Sequence, residues 1–183
     1  QVSLVNADLG PMESPDILRA VSQQHPTAIL IGHSGSSSAH PTVAELARSL
    51  KLTCPEATII YGGVYPTYHW KEILEQCSDI DIIVKGEGEA TVVKLIKALE
   101  QQQPLQNIPG LAFRENGLAV ASRPAPVISD LDGSRIGWEL IDFNDYSYWG
   151  GKKSVIMQFS RGCPHLCTYC GQRGFWTRWR HRD

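Results

Sequence analysis

Over the first hundred residues the apolar positions switch between two periods. Val2 to Ala7, Ala28 to Gly32, Thr58 to Tyr61 and Ile80 to Val84 are short apolar runs of the kind that form buried strands. Between them the apolar residues recur at helical spacing. Ser14-Pro15-Asp16 opens the first helix, with Ser14 as N-cap, Pro15 at the first helical position, and Ile17, Leu18 and Val21 on one face. Thr42 to Leu52 aligns Val43, Leu46, Ala47 and Leu50. Trp70 to Cys77 is a shorter helix, and Ala90 to Gln102 aligns Val92, Val93, Ile96 and Leu99. Nearly all-apolar strands alternating with amphipathic helices predict an α/β fold, a doubly wound parallel sheet of Rossmann-like type. Ligands of such sheets sit beyond the carboxyl ends of the strands. Here those ends carry Asp8–Met12, His33–His40, Gly62–His69 and Gly86–Glu89, all poor in side-chain bulk, so a large flat ligand can lie against backbone.

The pattern changes after Gln103. Two short strand-like runs flank Glu115-Asn116-Gly117, and Asn-Gly is a hairpin signal. Arg123 to Gly151 is rich in Pro, Asp and Gly and reads as a linker. Val155 to Phe159 is a new strand leading into a cluster of cysteines. The divisions predicted are an α/β domain at 1–103, a hairpin and linker at 104–150, and the start of a second domain at 151–183.

Composition narrows the classes. Hydrophobic residues make up 42% and charged residues 20% of the 183, enough apolar matter for one sizeable core. A formal net charge of -2 argues against nucleic-acid binding by the chain as a whole. No apolar run reaches the roughly 18 residues of a membrane span, and no leader pattern opens the chain. The first residues lack Met and enter directly a strand-like run, so a further segment, including a strand before Val2, is expected upstream. Three of five cysteines fall within eight residues, which suits metal binding in a reducing compartment rather than a disulfide scaffold.

Those three are Cys163, Cys167 and Cys170, spaced C-x3-C-x2-C. Three thiolates this close wrap one face of a cubane cluster and leave its fourth iron without a nearby Cys, which is the open position that chemistry on a bound molecule requires. A zinc site is the rival, with His165 or His181 as fourth ligand, although no second CxxC pair exists. Cys54 and Cys77 each stand alone and read as small core residues. Gly62-Gly63 also suits a plain tight turn, and Gly86-x-Gly88 lacks the third Gly of a dinucleotide fingerprint. His33, His40 and His69 lie at strand ends, where hydrogen-bonded roles are commoner than ligation. Arg173 to Asp183 interleaves four Arg with Phe175, Trp176 and Trp179, a mixture that can also stack single-stranded nucleic acid.

The cysteine loop, with Tyr169 before its third Cys, resembles that of the radical S-adenosylmethionine superfamily. Gly62-Gly63-Val64 and Lys85-Gly86-Glu87-Gly88-Glu89 resemble the cobalamin-binding domain that precedes many of its barrels. Gln158 to Pro164 and Gly171 to Trp176 are similar to the oxygen-independent oxidative cyclases of that family, which close the fifth ring of chlorophyll precursors.

The resemblance implies a 4Fe-4S cluster on Cys163, Cys167 and Cys170, S-adenosylmethionine with Tyr169 among its contacts, and cobalamin near Ser34, Gly62, Gly63, Val64, Gly86, Glu87 and Gly88. It also implies a porphyrin substrate, an electron donor such as flavodoxin or ferredoxin, and a cytoplasmic location. The Asp-x-His-x-x-Gly string of many cobalamin domains does not occur, and the comparable loop reads Ser34-Gly35-Ser36 in place of the Ser-x-Leu element of some of them. The cobalt therefore has no His ligand, or takes one from a region outside the chain. The rivals are a cobalamin-dependent radical methyltransferase, with the same cofactors, and a non-catalytic zinc- or nucleic-acid-binding module. A full eightfold barrel takes roughly 250 residues, so residues 151–183 supply only its first strand, and the chain alone is expected to be inactive.

Overall fold

Ile and Val dominate the strands, and their alternating side chains face two separate cores. The computed structural model describes residues 1–7, 12–33, 37–148, 152–155 and 157–183. Strand β1 (Ala28–Gly32) pairs in parallel with β2 (Thr58–Gly62), which pairs in parallel with β3 (Ile82–Val84). The hairpin strands β4 (Leu111–Glu115) and β5 (Leu118–Ala121) then join antiparallel, giving the order β1-β2-β3-β4-β5. The sheet is thus mostly parallel with an antiparallel hairpin at one edge. Asn116 and Gly117 both take positive φ, +51° and +80°, which is what a two-residue turn needs to match strand twist.

Ile59, Tyr61 and Ile83 point to one face, where they meet Val43, Ala47 and Leu50 of α2 (His40–Thr53) and Ile73 and Leu74 of α3 (Val64–Gln76). Leu18 and Val21 of α1 (Ser14–Ser22) pack at the margin. Ile60, Ile82 and Val84 point to the other face, against Leu95 and Ala98 of α4 (Glu89–Glu100). Helices therefore cover both faces, as the two periods require. Arg114 of β4 caps the end of α3 by donating to the carbonyls of Leu74, Cys77 and Ile80. Cys54 and Cys77 pack against the first core.

Several elements differ from the expectation. Residues 1–6 form no strand, and Val2 and Leu4 are exposed. A strand needs a neighbour for its backbone groups; instead the Asn6 side chain donates to the Tyr146 hydroxyl, 2.9 Å away. Ser14 is the first helical residue rather than the cap, with Glu13 at the N-cap and no side-chain cap bond. Helix α3 starts six residues before Trp70, because Gly63 (φ +125°) turns the chain straight from β2 into a helical turn in which Pro66 needs no amide partner. Non-helical geometry at His69 divides that turn from the predicted helix.

The described part of Val155–Phe159 is not a strand, and Ile156 lies outside the described residues. Pairing starts only at its end: Phe159 accepts from the Arg182 amide, and β8 (Ser160–Arg161) pairs with β9 (Arg180–His181). A second two-residue ladder joins β6 (Ser147–Tyr148) to β7 (Lys152–Lys153). The segment read as a linker is packed down, with Leu131 and Tyr146 buried.

Candidate cofactor cleft and cysteine loop

The carboxyl ends of β1 and β2, Gly32 and Gly62, have no bulk on the α4 side. Gly32 lies opposite Gly62 in register, and Gly62 lies opposite Val84. A cleft of about 340 Å³ opens over them. Its floor is Leu30, Gly32, Ile60 and Gly62, and its walls are Gly63, the Gly86–Glu89 loop, Val92, Arg161 and Trp176. A Cβ added at Gly62 would stand 3.8 Å from Val84, and one at Gly86 would meet nothing within 4 Å, so both positions present bare backbone to open space. Gly86 also needs its φ of +73°, which a side chain would strain. Leu30, 52% exposed in mid-strand, is an apolar floor uncovered by any described helix. These features fit a large, flat, partly apolar ligand.

The structure brings together Gly62, Gly63, Gly86, Glu87 and Gly88 of the predicted cofactor residues. Val64 is half-buried at the start of α3 and does not line the cleft. Ser34, with Asp8, lies outside the described residues. His33, His40 and His69 stand in a neighbouring stack rather than in the cleft. His33 Nε2 is 2.7 Å from the Tyr61 hydroxyl, His40 stacks on Tyr65 at 4.9 Å, Tyr65 on His69 at 4.3 Å, and His69 Nδ1 is 3.4 Å from Glu72. Burial pulls the pKa of His33 and of His40 below the ordinary histidine value.

Glu87, in the cleft wall, also anchors an ion-pair network. Its carboxylate is buried and accepts from both Arg180 (2.8 and 3.0 Å) and Arg161 (2.8 Å), and from the Ile128 amide (2.9 Å). Arg161 also reaches Glu89 and lies 5.2 Å over the Trp176 ring. Two acids and two guanidiniums thus meet with no net charge. Burial pushes the Glu87 carboxyl up, but the hydrogen bonds from Arg180, Arg161 and Ile128 outweigh it and hold the pKa below its usual value. This network ties the strand-end loop to both flanks of the cysteine loop. Thr67, on the first turn of α3, ties the two glycine loops to each other: its hydroxyl donates to the Gly63 carbonyl (2.7 Å) and accepts from the Gly86 amide (2.9 Å).

Cys163 and Cys167 are exposed and Cys170 is half-buried, all as free thiols, and Tyr169 is 90% exposed beside them. The Cys170 amide donates to the Cys167 carbonyl and closes the turn between the second and third thiols. Among the described residues no group of three His, Cys, Asp or Glu side chains is gathered in ligating positions. Three thiols on one loop of eight residues are a donor set that a cubane cluster could use. In the tail, Arg180 and Arg182 are paired with Glu87 and Asp132, which takes two of its cations out of any free basic patch.

Nothing in the sequence alone points to these roles for Arg161, Arg180, Trp176 and Thr67. The acids at 87 and 89 and the arginines at 161 and 180 are complementary, but nothing local pairs charges more than seventy residues apart.

A B12 binding domain is matched by residues 1–96. The chain is 55% identical over 182 residues to the anaerobic magnesium-protoporphyrin IX monomethyl ester cyclase of Synechocystis, covering all of this chain and 36% of that one. It is 34% identical over 150 residues to the cyclase of the same description from Cereibacter sphaeroides, covering 78% of this chain and 24% of that one. The chain thus spans about a third or less of these curated relatives. In fold it is similar to the radical S-adenosylmethionine methyltransferase TsrM of Kitasatospora setae, solved with cobalamin and a [4Fe-4S] cluster (TM-score 0.65, 16% identity, 91% of this chain and 35% of that one).

Proposed function

Since the chain belongs to the family of B12 binding domains, we propose that it supplies the cobalamin cleft and the cluster loop of an oxygen-independent oxidative cyclase acting on magnesium-protoporphyrin IX monomethyl ester. The carrying observation is that Arg161 and Trp176, which flank the cysteines on either side, are walls of the same cleft whose floor is the glycine strand ends. The likeness to the Synechocystis cyclase extends along the whole chain.

In this reading Gly62, Gly63, Gly86 and Gly88 let cobalamin lie against backbone, and Ser34, Val64 and Glu87 are the further contacts that the family resemblance implies. Cys163, Cys167 and Cys170 hold a 4Fe-4S cluster, and Tyr169 faces S-adenosylmethionine. A cluster held there would supply the electron that cleaves a carbon–sulfur bond of S-adenosylmethionine, which would act as the oxidant by taking hydrogen from an unactivated C–H bond of the porphyrin side chain, and water would be the source of the ketone oxygen. The residues of this chain hold and orient: Thr67 fixes the glycine loops, and Glu87 with Arg161 and Arg180 fixes the cysteine segment to them. A flavodoxin or ferredoxin is the fitting electron donor, in the reducing cytoplasm. No helix among the described residues is long and apolar enough to cross a membrane.

A chimera tests this. The matching 36% of the Synechocystis cyclase is exchanged for this chain and assayed anaerobically with its porphyrin. The expected result is fifth-ring closure in the chimera and none from this chain alone, because catalysis needs the substrate held about 3–3.5 Å from the reacting atom in a water-excluded site. A folded, cluster-loaded chimera without ring closure contradicts the cyclase reading. The fold likeness to TsrM favours methyl transfer as the second reading; a methylated product without ring closure would establish it.

A further inference from the structure

Helix α3 leaves the glycine loop and reaches the cysteine loop. The Tyr68 hydroxyl donates to the Gly171 carbonyl at 2.5 Å, and Gly171 directly follows Cys170. Gly174, in α5 (Gln172–Trp176), lies under the same hydroxyl: a Cβ there would stand 2.5 Å from the Tyr68 oxygen and 3.4 Å from its ring. The absence of a side chain at 174 is therefore what lets the ring lie on this helix. Tyr68 is 48% exposed, so burial of its ring does not account for the contact. Its neighbour Thr67 bonds both glycine loops. Two consecutive residues thus connect the three loops of the site.

We propose that Tyr68 is a positioning residue that fixes the peptide after the third cluster cysteine and so sets the spacing between the cysteine loop and the glycine cleft. This rests on the reading of Cys163, Cys167 and Cys170 as cluster ligands. Tyr68 touches no reacting atom; it acts through Gly171. Removing the hydroxyl loses one hydrogen bond, on the order of a fivefold change in the opening of the loop.

The test compares the full chain with Tyr68→Phe and Gly174→Ala. After anaerobic loading with iron and sulfide, Tyr68→Phe takes up the same iron as the parent and melts at the same temperature. Its cluster loses iron to a chelator about fivefold faster, and the resonance of its reduced form is broadened. Gly174→Ala reproduces both changes by pushing the ring away. Iron in the parent with an unchanged chelation rate and spectrum in Tyr68→Phe overturns the proposal while leaving the cluster reading intact. A parent that takes up no iron overturns both.

Discussion

Replacing Cys167 with alanine is expected to abolish iron–sulfur cluster formation, while Cys54→Ala leaves it intact. After anaerobic reconstitution the parent protein should carry iron and inorganic sulfide with broad absorbance in the violet-blue, and Cys167→Ala at least tenfold less. The contrast follows from placement. Cys167 is exposed in the middle of a three-thiol loop, whereas Cys54 is half-buried at the end of α2 and packs on the sheet core. A cubane face needs all three thiolates of the loop, because the fourth iron already lacks a Cys. Equal loss in both variants would remove the assignment. Zinc without sulfide would transfer the loop to a structural metal site.

Glu87→Ala is expected to release the cysteine segment from the sheet while the sheet stays folded. Glu87 and Arg180 are both buried, with Arg161 nearly so. Removing the shared carboxylate leaves buried Arg180 without its acid partner and Arg161 with Glu89 alone, and breaking a buried pair from one side costs about 3 kcal/mol or more. Amide exchange across residues 160–181 should accelerate by about a hundredfold, with β1–β3 unchanged. The network also carries a pH signature. The Glu87 pKa is held below its ordinary 4.5 in the folded protein, so the stability it contributes is present above about pH 4.5 and is lost as pH falls through the folded value. Glu87→Ala should remove that acid-dependent part. Unchanged exchange in the variant would show that Arg161 and Arg180 dock without the carboxylate.

The layered sheet was legible because its signals are local. Ile59 and Ile60 lie on opposite sides of β2 as period two requires, and Asn116-Gly117 takes the two positive φ values that its residue types allow. The glycine loops were legible for the same reason: strand ends without side chains mark a ligand edge. What was not legible depends on distant partners. Val2–Ala7 and Val155–Phe159 have strand composition, but a strand exists only where a neighbour pairs with it, and composition does not reveal the neighbour. The early start of α3 was hidden by Pro66, which reads as a breaker although the first turn of a helix accepts it. The ion-pair role of Glu87 was hidden because its carboxylate is engaged by groups 41, 74 and 93 residues away.

A cobalamin site at the glycine strand ends is open to test by titrating hydroxocobalamin into this chain and into Gly62→Val. A Cβ at Gly62 meets only ordinary contacts with Val84, and the branched side chain of the valine stands in the cleft floor; an unchanged melting temperature of the variant is the control for its folding. Saturable binding by the parent and at least tenfold weaker binding by Gly62→Val are expected, a loss of about 1.4 kcal/mol or more. Equal affinity in the two proteins, or no saturable binding by the parent, would contradict such a site.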